Sequence, residues 1–581
     1  MRSPAGSVGQ WDLLVAAKHG GDLQGQTIVS CTSASGNRTF DNGKFETVQP
    51  LIEEKSAETP TSSHHLAVTI GRNTVFGIVS RFAQVATRLV TIPIVIAHLG
   101  LGGYGIWSII MTTAAYMRFG SVGVKSAFQK YVAEATGNKD YQAANRLLST
   151  GCALMLVLSV VGLIPIVLFS REIAKAGGVP QEFLHSTAGS ISVLALIMVM
   201  SNVGAVFEAI VMGGHRIDLA RKFTTFYTVA EAVAIVIVLH FGYGLFAMAL
   251  IMAASEIGFV GSCYLASKRV VPEIRLRVEY LTKSALPELF RFAGSYQLVN
   301  VLEVLYGSIM PFAILRAFGA DAAGGYALVT RLVTSALMIH DAFLLPILSG
   351  GTMVYASGST ERMRALLLKS FKITLGLTLF PLAFISIFGT TIVFAWTGQE
   401  SASFGTALGL VSLAGLFHGF SLLQLVLYRV SGKAVMDNIR QVLRIVILAS
   451  IAVFARKLGF NGVLAGLAIA ELVGVLFMLF ALTRTFHSFQ AKTLLPDAMK
   501  LTAATALVLA AGVVAARIPL PAMSSARLLS MMKLGEASLA CLLMAWPALL
   551  ITKSVTGLEW KAFLGVFLPR TALDRRAIGG V

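Results

Sequence analysis

Two arginines lie inside an apolar stretch long enough to cross a bilayer. The stretch runs from Asn73 to Gly100, NTVFGIVSRFAQVATRLVTIPIVIAHLG, and carries Arg81 and Arg88. On a helix, residues seven apart share a face, with Gln84 between them and Gly77 and Thr91 extending the stripe. An arginine at membrane depth costs about 2.5–3.5 kcal/mol on insertion scales, so such side chains face a protein interior or a watery cavity rather than lipid. The chemistry implied is binding rather than bond-making, because forked guanidinium donors suit phosphate oxygens. The competing outcomes are an ion pair with a carboxylate on a neighbouring helix and snorkelling of Arg81 to the headgroups.

Other polar residues stand inside apolar segments. Arg118 on the second span and Arg331 on the eighth are further candidates for anion binding, and either could instead partner a glutamate. Tyr296, Asn300 and Glu303 share a face of the seventh span, while Thr330, Arg331, Thr334 and Asp341 lie on the eighth. A carboxylate near mid-membrane, as Glu303 is, would either pair with Arg331 or take up and release a proton during a transport cycle. Glu256 and Glu471 occupy corresponding places in two spans about 215 residues apart, which favours a shared packing or hydrogen-bonding role. With Glu303 and Asp341 they complete the coupling candidates. Glu231 and His418 read as satisfied core positions.

Catalytic and metal chemistry find no footing. Cys31, Cys152, Cys263 and Cys541 lack metal-like spacing, and the His64–His65 pair has no further ligands beside it. No GxxxxGK[ST] segment occurs, so ATP is not the direct energy source. No cofactor is expected, apart from coupling to protons or sodium ions.

The elements that must position these residues are membrane spans. Hydrophobic residues make up 56% of the 581 and charged residues 13%, with a mean hydropathy of +0.76. This composition belongs to an all-α polytopic membrane protein. Apolar segments fall at 73–98, 103–125, 148–170, 188–212, 223–241, 244–267, 293–317, 323–348, 370–396, 404–428, 441–458, 462–484, 498–516 and 535–554, which predicts about fourteen transmembrane helices. The net charge of +18 is spread through short connections and includes Arg216, Lys268, Arg269, Arg362, Arg364 and Arg440. It reports topology, with both termini cytoplasmic, and not a nucleic-acid partner. The opposite turns, such as LGLGG and FGAD, are nearly free of Lys and Arg.

The chain also repeats itself. Pro93, LGLGGYGIW (99–107) and AEATGNKDYQAANRLL (133–148) are followed 218 to 222 residues later by Pro311, FGADAAGGYAL (318–328) and YASGSTERMRALLL (355–368). GGHRIDL (213–219) pairs with SGKAVMD (431–437), and HFGYGLFAMA (240–249) with KLGFNGVLAG (457–466). Each unit holds six spans, so the two keep one orientation and are related by a pseudo-two-fold axis along the membrane normal, with a central cavity between them. The expected organisation is a disordered cytoplasmic tail at 1–68, a six-helix lobe at 69–270, a cytoplasmic linker at 271–292, a second six-helix lobe at 293–490, two peripheral helices at 491–560 and a tail at 561–581.

The opening helix, the turn LGLGGYGIW, the loop AEATGNKDYQAANRLL and the repeat with two extra helices resemble the polysaccharide-synthesis branch of the multidrug/oligosaccharidyl-lipid/polysaccharide exporter superfamily. The resemblance covers residues 70 to 485 best. It implies alternating access by two lobes of a bacterial inner-membrane flippase for O-antigen, capsule or exopolysaccharide repeat units. The implied partners are an undecaprenyl-diphosphate-linked oligosaccharide, membrane lipid, and a polysaccharide polymerase with its co-polymerase. Lipid II flippases place first-helix arginines near the substrate diphosphate, and the resemblance lends that role to Arg81 and Arg88. The same superfamily holds cation-coupled exporters of drugs and other small molecules, which stand as the alternative. A membrane glycosyltransferase, ligase or polymerase fits less well, since the outer connections are short and LGLGGYG has no carboxylate.

Overall fold

Helix is what this composition permits within a bilayer, where every backbone N–H and C=O must be satisfied inside its own segment. The computed structural model describes residues 60–115, 122–400, 403–431, 435–486, 490–520 and 525–554. Among these the regular elements are α-helices and short 3-10 turns. Twelve helical segments of the described residues are long and apolar enough to span a membrane.

The first lobe comprises α1 (Pro60–Ala115), α2 (Val122–Asn138), α3 (Tyr141–Leu168), the short α4 (Ser170–Ala176), α5 (Gln181–Gly213), α6 (Ile217–His240) and α7 (Leu245–Val270). The second comprises α8 (Leu286–Phe318), α9 (Ala320–Ala356), α10 (Thr360–Thr397), α11 (Ser403–Val430), α12 (Val435–Val453) and α13 (Ala455–Thr485). In the first lobe α5 packs along α7 and touches α2, α3 and α6; in the second α11 packs along α9, α10 and α13, and α12 bridges α8 and α13. The remaining pair, α14 (Leu495–Ala516) and α15 (Ala526–Ile551), pack on each other and rest against α10.

Three of the fourteen expected spans need comment. The first and second are joined in α1, which turns at Gly100 (φ 72°, ψ 173°). Its repeat counterpart Gly319 (φ 89°, ψ −178°) makes the same turn between α8 and α9, a left-handed conformation that side chains with a Cβ disfavour. The eleventh expected span, 441–458, lies on α12, which begins earlier, at Val435, and is not among the twelve apolar segments because it carries Asp437, Arg440 and Arg444. The prolines at 93 and 311 sit inside α1 and α8 at equivalent depths of the repeat.

The connection between the lobes is fastened to one helix. Residues 271–285 form irregular chain and two 3-10 turns that lie along α3. Asn145 donates to the carbonyl of Glu273 at 3.2 Å and accepts from the Arg275 N–H at 2.9 Å. Ser149 accepts from the Arg277 N–H at 3.3 Å, and Thr150 from the Thr282 N–H at 3.1 Å. Spaced at i, i+4 and i+5, these three α3 side chains serve backbone groups that have no helix of their own.

Candidate functional site

On α1, Ser80 is buried while Arg81 and Arg88 are exposed. Gln84 reaches back to the Ser80 hydroxyl at 3.3 Å, and Thr91 donates to the Thr87 carbonyl at 2.7 Å, so two polar side chains are tied to the helix itself. Arg81 has no ion-pair partner among the described residues. The positive field of Arg88 reaches the Glu231 carboxylate on α6, which also meets the Ser255 hydroxyl and the field of Glu256, both on α7. Glu231 is satisfied by the Ser255 hydroxyl, and one arginine and a second glutamate from two further helices act on it electrostatically.

The second lobe holds a denser network. Arg444 on α12 forms an ion pair with Glu471 on α13, with side-chain exposures of 0% and 4%. Its guanidinium lies 3.6 Å from the centre of the Tyr306 ring, and the Tyr306 hydroxyl donates to Glu471 Oε1 at 2.5 Å. His418 Nδ1 approaches the same oxygen at 3.1 Å. Gln441 links the network to α8: its carbonyl accepts from Arg444 at 3.0 Å and its amide donates to Glu303 at 3.3 Å. One turn earlier, Arg440 and Asp437 pair at 2.6 Å, both fully buried. A buried guanidinium tolerates this depth only where a carboxylate and hydrogen bonds replace its water, and here both are supplied.

This network went unseen in the sequence. Hydropathy alone places Arg440 in a basic connection and Arg444 in an apolar span. The available signal was Asp437, Arg440, Gln441 and Arg444 at positions i, i+3, i+4 and i+7 of one helical face.

A third group ties the lobes together at the end bearing the LGLGG and FGAD turns. Arg331 on α9 stands beside the Tyr104 hydroxyl on α1; Glu303 meets Gln441 at 3.3 Å, and no Glu303–Arg331 pair forms among the described residues. Trp396 on α10 donates its indole N–H to the Leu89 carbonyl at 2.6 Å, and Arg316 on α8 donates to the Ala176 carbonyl at 3.1 Å. Here the backbones almost touch. A Cβ built on Gly105 would lie 2.3 Å from the Ala320 carbonyl oxygen, and one on Gly324 would lie 2.0 Å from that of Leu101.

The other candidates are scattered. Asp341 is about half exposed and sits 3.3 Å from its neighbour His340. Arg118 lies outside the described residues; Asn300 lies on α8, and its side chain is also outside them. Among the described residues, no group of three His, Cys, Asp or Glu side chains could hold a metal ion.

The MatE family model matches residues 78–221. The fold is similar to the inward-facing conformation of a multidrug resistance MATE family transporter of the MOP superfamily, with 18% identity, 69% of this chain and 95% of the other covered, and a TM-score of 0.59. It is equally similar to the lipid II flippase MurJ in an inward closed conformation, with 14% identity, 81% and 97% coverage, and a TM-score of 0.60. Among curated proteins, the uncharacterized membrane protein EpsK of Bacillus subtilis (strain 168) is 21% identical over 324 residues. That match takes in 54% of this chain and 63% of EpsK, less than two thirds of the relative's length. Two helical lobes, a pseudo-repeat and these likenesses together establish that the chain has the fold of the MOP-superfamily transporters.

Proposed function

We propose that the protein is a flippase that carries undecaprenyl-diphosphate-linked oligosaccharide repeat units across the bacterial inner membrane by alternating access, for the synthesis of a surface polysaccharide. The observation that carries this reading is the pair of exposed arginines, Arg81 and Arg88, at the start of a helical segment long and apolar enough to cross a membrane. A lipid-linked sugar leaves its polyprenyl tail in the bilayer and needs a path only for its head, whose diphosphate is the natural partner of forked guanidinium donors. The likeness in fold to a lipid II flippase supports a lipid-linked substrate. Polymerase and co-polymerase would then act on the delivered unit at the outer face.

Membrane voltage favours the loaded step. Each charge moved through 100 mV is worth about 2.3 kcal/mol, so a diphosphate head leaving a negative interior gains several kcal/mol. Protons or sodium ions would then serve the return of the empty carrier, with Glu303, Glu256 and Asp341 the carboxylates available. Glu471 is the least available, since Arg444 neutralises it.

One observation favours the second reading, a cation-coupled exporter of drugs or other small molecules: Glu231 and Glu256 lie within each other's electrostatic reach on neighbouring helices, with the Ser255 hydroxyl beside Glu231, an arrangement that could hold a cation. The experiment that separates the two is leaflet assignment of lipid-linked sugar. Loss of the flippase traps that intermediate on the cytoplasmic leaflet, and Arg88→Ala reproduces the block at unchanged protein level. Normal export of the sugar in the deletion strain would overturn the flippase reading.

A further inference from the structure

A cavity of about 610 Å³ opens at the basic end of the first lobe, between the α5–α6 turn and the last turns of α7. Arg216 and Arg269 stand in its wall together with Leu219, Phe223, Leu265 and Val270. None of these belongs to the arginine stripe of α1 or to the buried network of the second lobe. We propose that this cavity binds an anionic phospholipid of the surrounding leaflet, with the headgroup phosphate on Arg216 and Arg269 and an acyl chain along Leu219, Phe223 and Leu265.

The charge is prearranged. Asp218, itself buried, holds Arg216 through Nε at 3.2 Å, which fixes the guanidinium plane and leaves its terminal nitrogens without a further bond among the described residues. Arg269 is exposed at the end of α7, with Lys268 beside it. Two guanidinium groups in one wall call for an anion. The back of the cavity is rigid, because the turn at Gly214 is pressed against α7 so closely that a Cβ there would lie 2.5 Å from Val270 Cγ1.

The walls select a lipid over a soluble anion. Leu265 and Phe226 are 62% and 63% exposed on helices long and apolar enough to span a membrane, so the opening continues onto a surface suited to acyl chains. Its depth is marked twice over. Lys268 lies over the Tyr264 ring, 4.2 Å from the centroid, and 216 residues later Arg484 lies over Phe480 at 5.1 Å. The closing helix of each lobe thus carries a cation on an aromatic ring one turn before it, the pairing that settles at the boundary between headgroups and acyl chains. A phosphate at that level meets Arg216 and Arg269 without either partner leaving its preferred depth.

The test is native mass spectrometry of the full-length protein released from micelles doped with equal amounts of phosphatidylglycerol and phosphatidylcholine. The wild type should retain phosphatidylglycerol selectively, and Arg269→Gln should weaken that retention about ten-fold, as expected for loss of a charge-assisted contact. Arg364→Gln, an exposed basic residue of the other lobe, should leave it unchanged. Should Arg269→Gln fold poorly, Leu265→Glu places an anion at the mouth without removing packing and should expel the lipid as well. Equal retention of the two lipids, or an equal loss in Arg364→Gln, overturns the site. Displacement by inorganic phosphate overturns the need for an acyl chain, and displacement by an equimolar amount of undecaprenyl phosphate overturns the assignment to a bulk phospholipid.

Discussion

Arg444 and Glu471 neutralise each other in the interior of the second lobe, whereas Glu256, the counterpart of Glu471 in the first lobe, has the field of a second glutamate, Glu231, nearby and no ion pair among the described residues. The repeat has therefore kept the position of the carboxylate and changed its surroundings. Removing one member of a buried pair leaves an uncompensated charge and costs about 3–5 kcal/mol, while replacing both with apolar groups of similar volume is often close to neutral. Arg444→Met and Glu471→Gln should each lower the melting temperature of the purified protein sharply, and Arg444→Met with Glu471→Leu should recover most of the loss. Two single losses that simply add in the double variant would show that the residues do not act as a pair.

Gly105 and Gly324 close the lobes against each other. The atoms a Cβ would strike are backbone carbonyl oxygens of Ala320 and Leu101, which no rotamer change can move aside. Overpacking of this kind costs about 1–3 kcal/mol, which at about 1.4 kcal/mol per decade lowers the closed population by roughly ten-fold or more. Spin labels at Ala97→Cys and Glu400→Cys should report a wider separation in Gly324→Ala than in the parent, and transport should fall with it. An unchanged distance distribution would mean that the contact is not needed for closure.

The repeat and its turns were legible because they are made of local signals: glycines that need positive φ, prolines, and basic residues gathered at one end of the spans. Gly100 and Gly319 could be matched by eye, and both fulfil the same turn. What could not be read was partnership. The distance from Arg444 to Glu471 is 27 residues and from Tyr306 to Glu471 is 165, and nothing in either segment states which helices are neighbours. The choice of Arg331 for Tyr104 rather than Glu303 was hidden for the same reason. Glu231 is satisfied, as its setting suggested, but that its hydrogen-bond partner is Ser255 on α7 could not be read from α6 alone.

Asn145 anchors the inter-lobe connection by two bonds to one stretch of backbone, 3.2 and 2.9 Å long. Asn145→Ala leaves the Glu273 carbonyl and the Arg275 N–H unserved, at about 1–3 kcal/mol where the groups remain buried. The local consequence is release of 271–285 from α3 without loss of either lobe. Brief trypsin treatment should cleave at Arg275 or Arg277 in the variant well before it does so in the parent, giving two membrane-embedded halves. Equal cleavage rates would show that the neighbouring Ser149 and Thr150 bonds suffice.

Arg88 and Glu231 offer the sharpest test of the proposed transport cycle. If the guanidinium serves a diphosphate, the nearby field of Glu231 opposes the anionic substrate and its removal should favour binding. Arg88→Ala should abolish flipping at normal protein level, and Arg88→Lys, which keeps the charge but loses the fork, should retain a fraction of it. Glu231→Gln removes the opposing charge, so it should bind lipid-linked sugar more tightly, by about ten-fold if that charge contributes about 1.4 kcal/mol, while slowing release and therefore turnover. The measurements are binding of an undecaprenyl-diphosphate sugar to the purified protein and initial transport rate in vesicles. Should Glu231→Gln weaken binding to the same extent as Arg88→Ala, the two residues act as a structural pair, and the arginine is not the group that greets the phosphate.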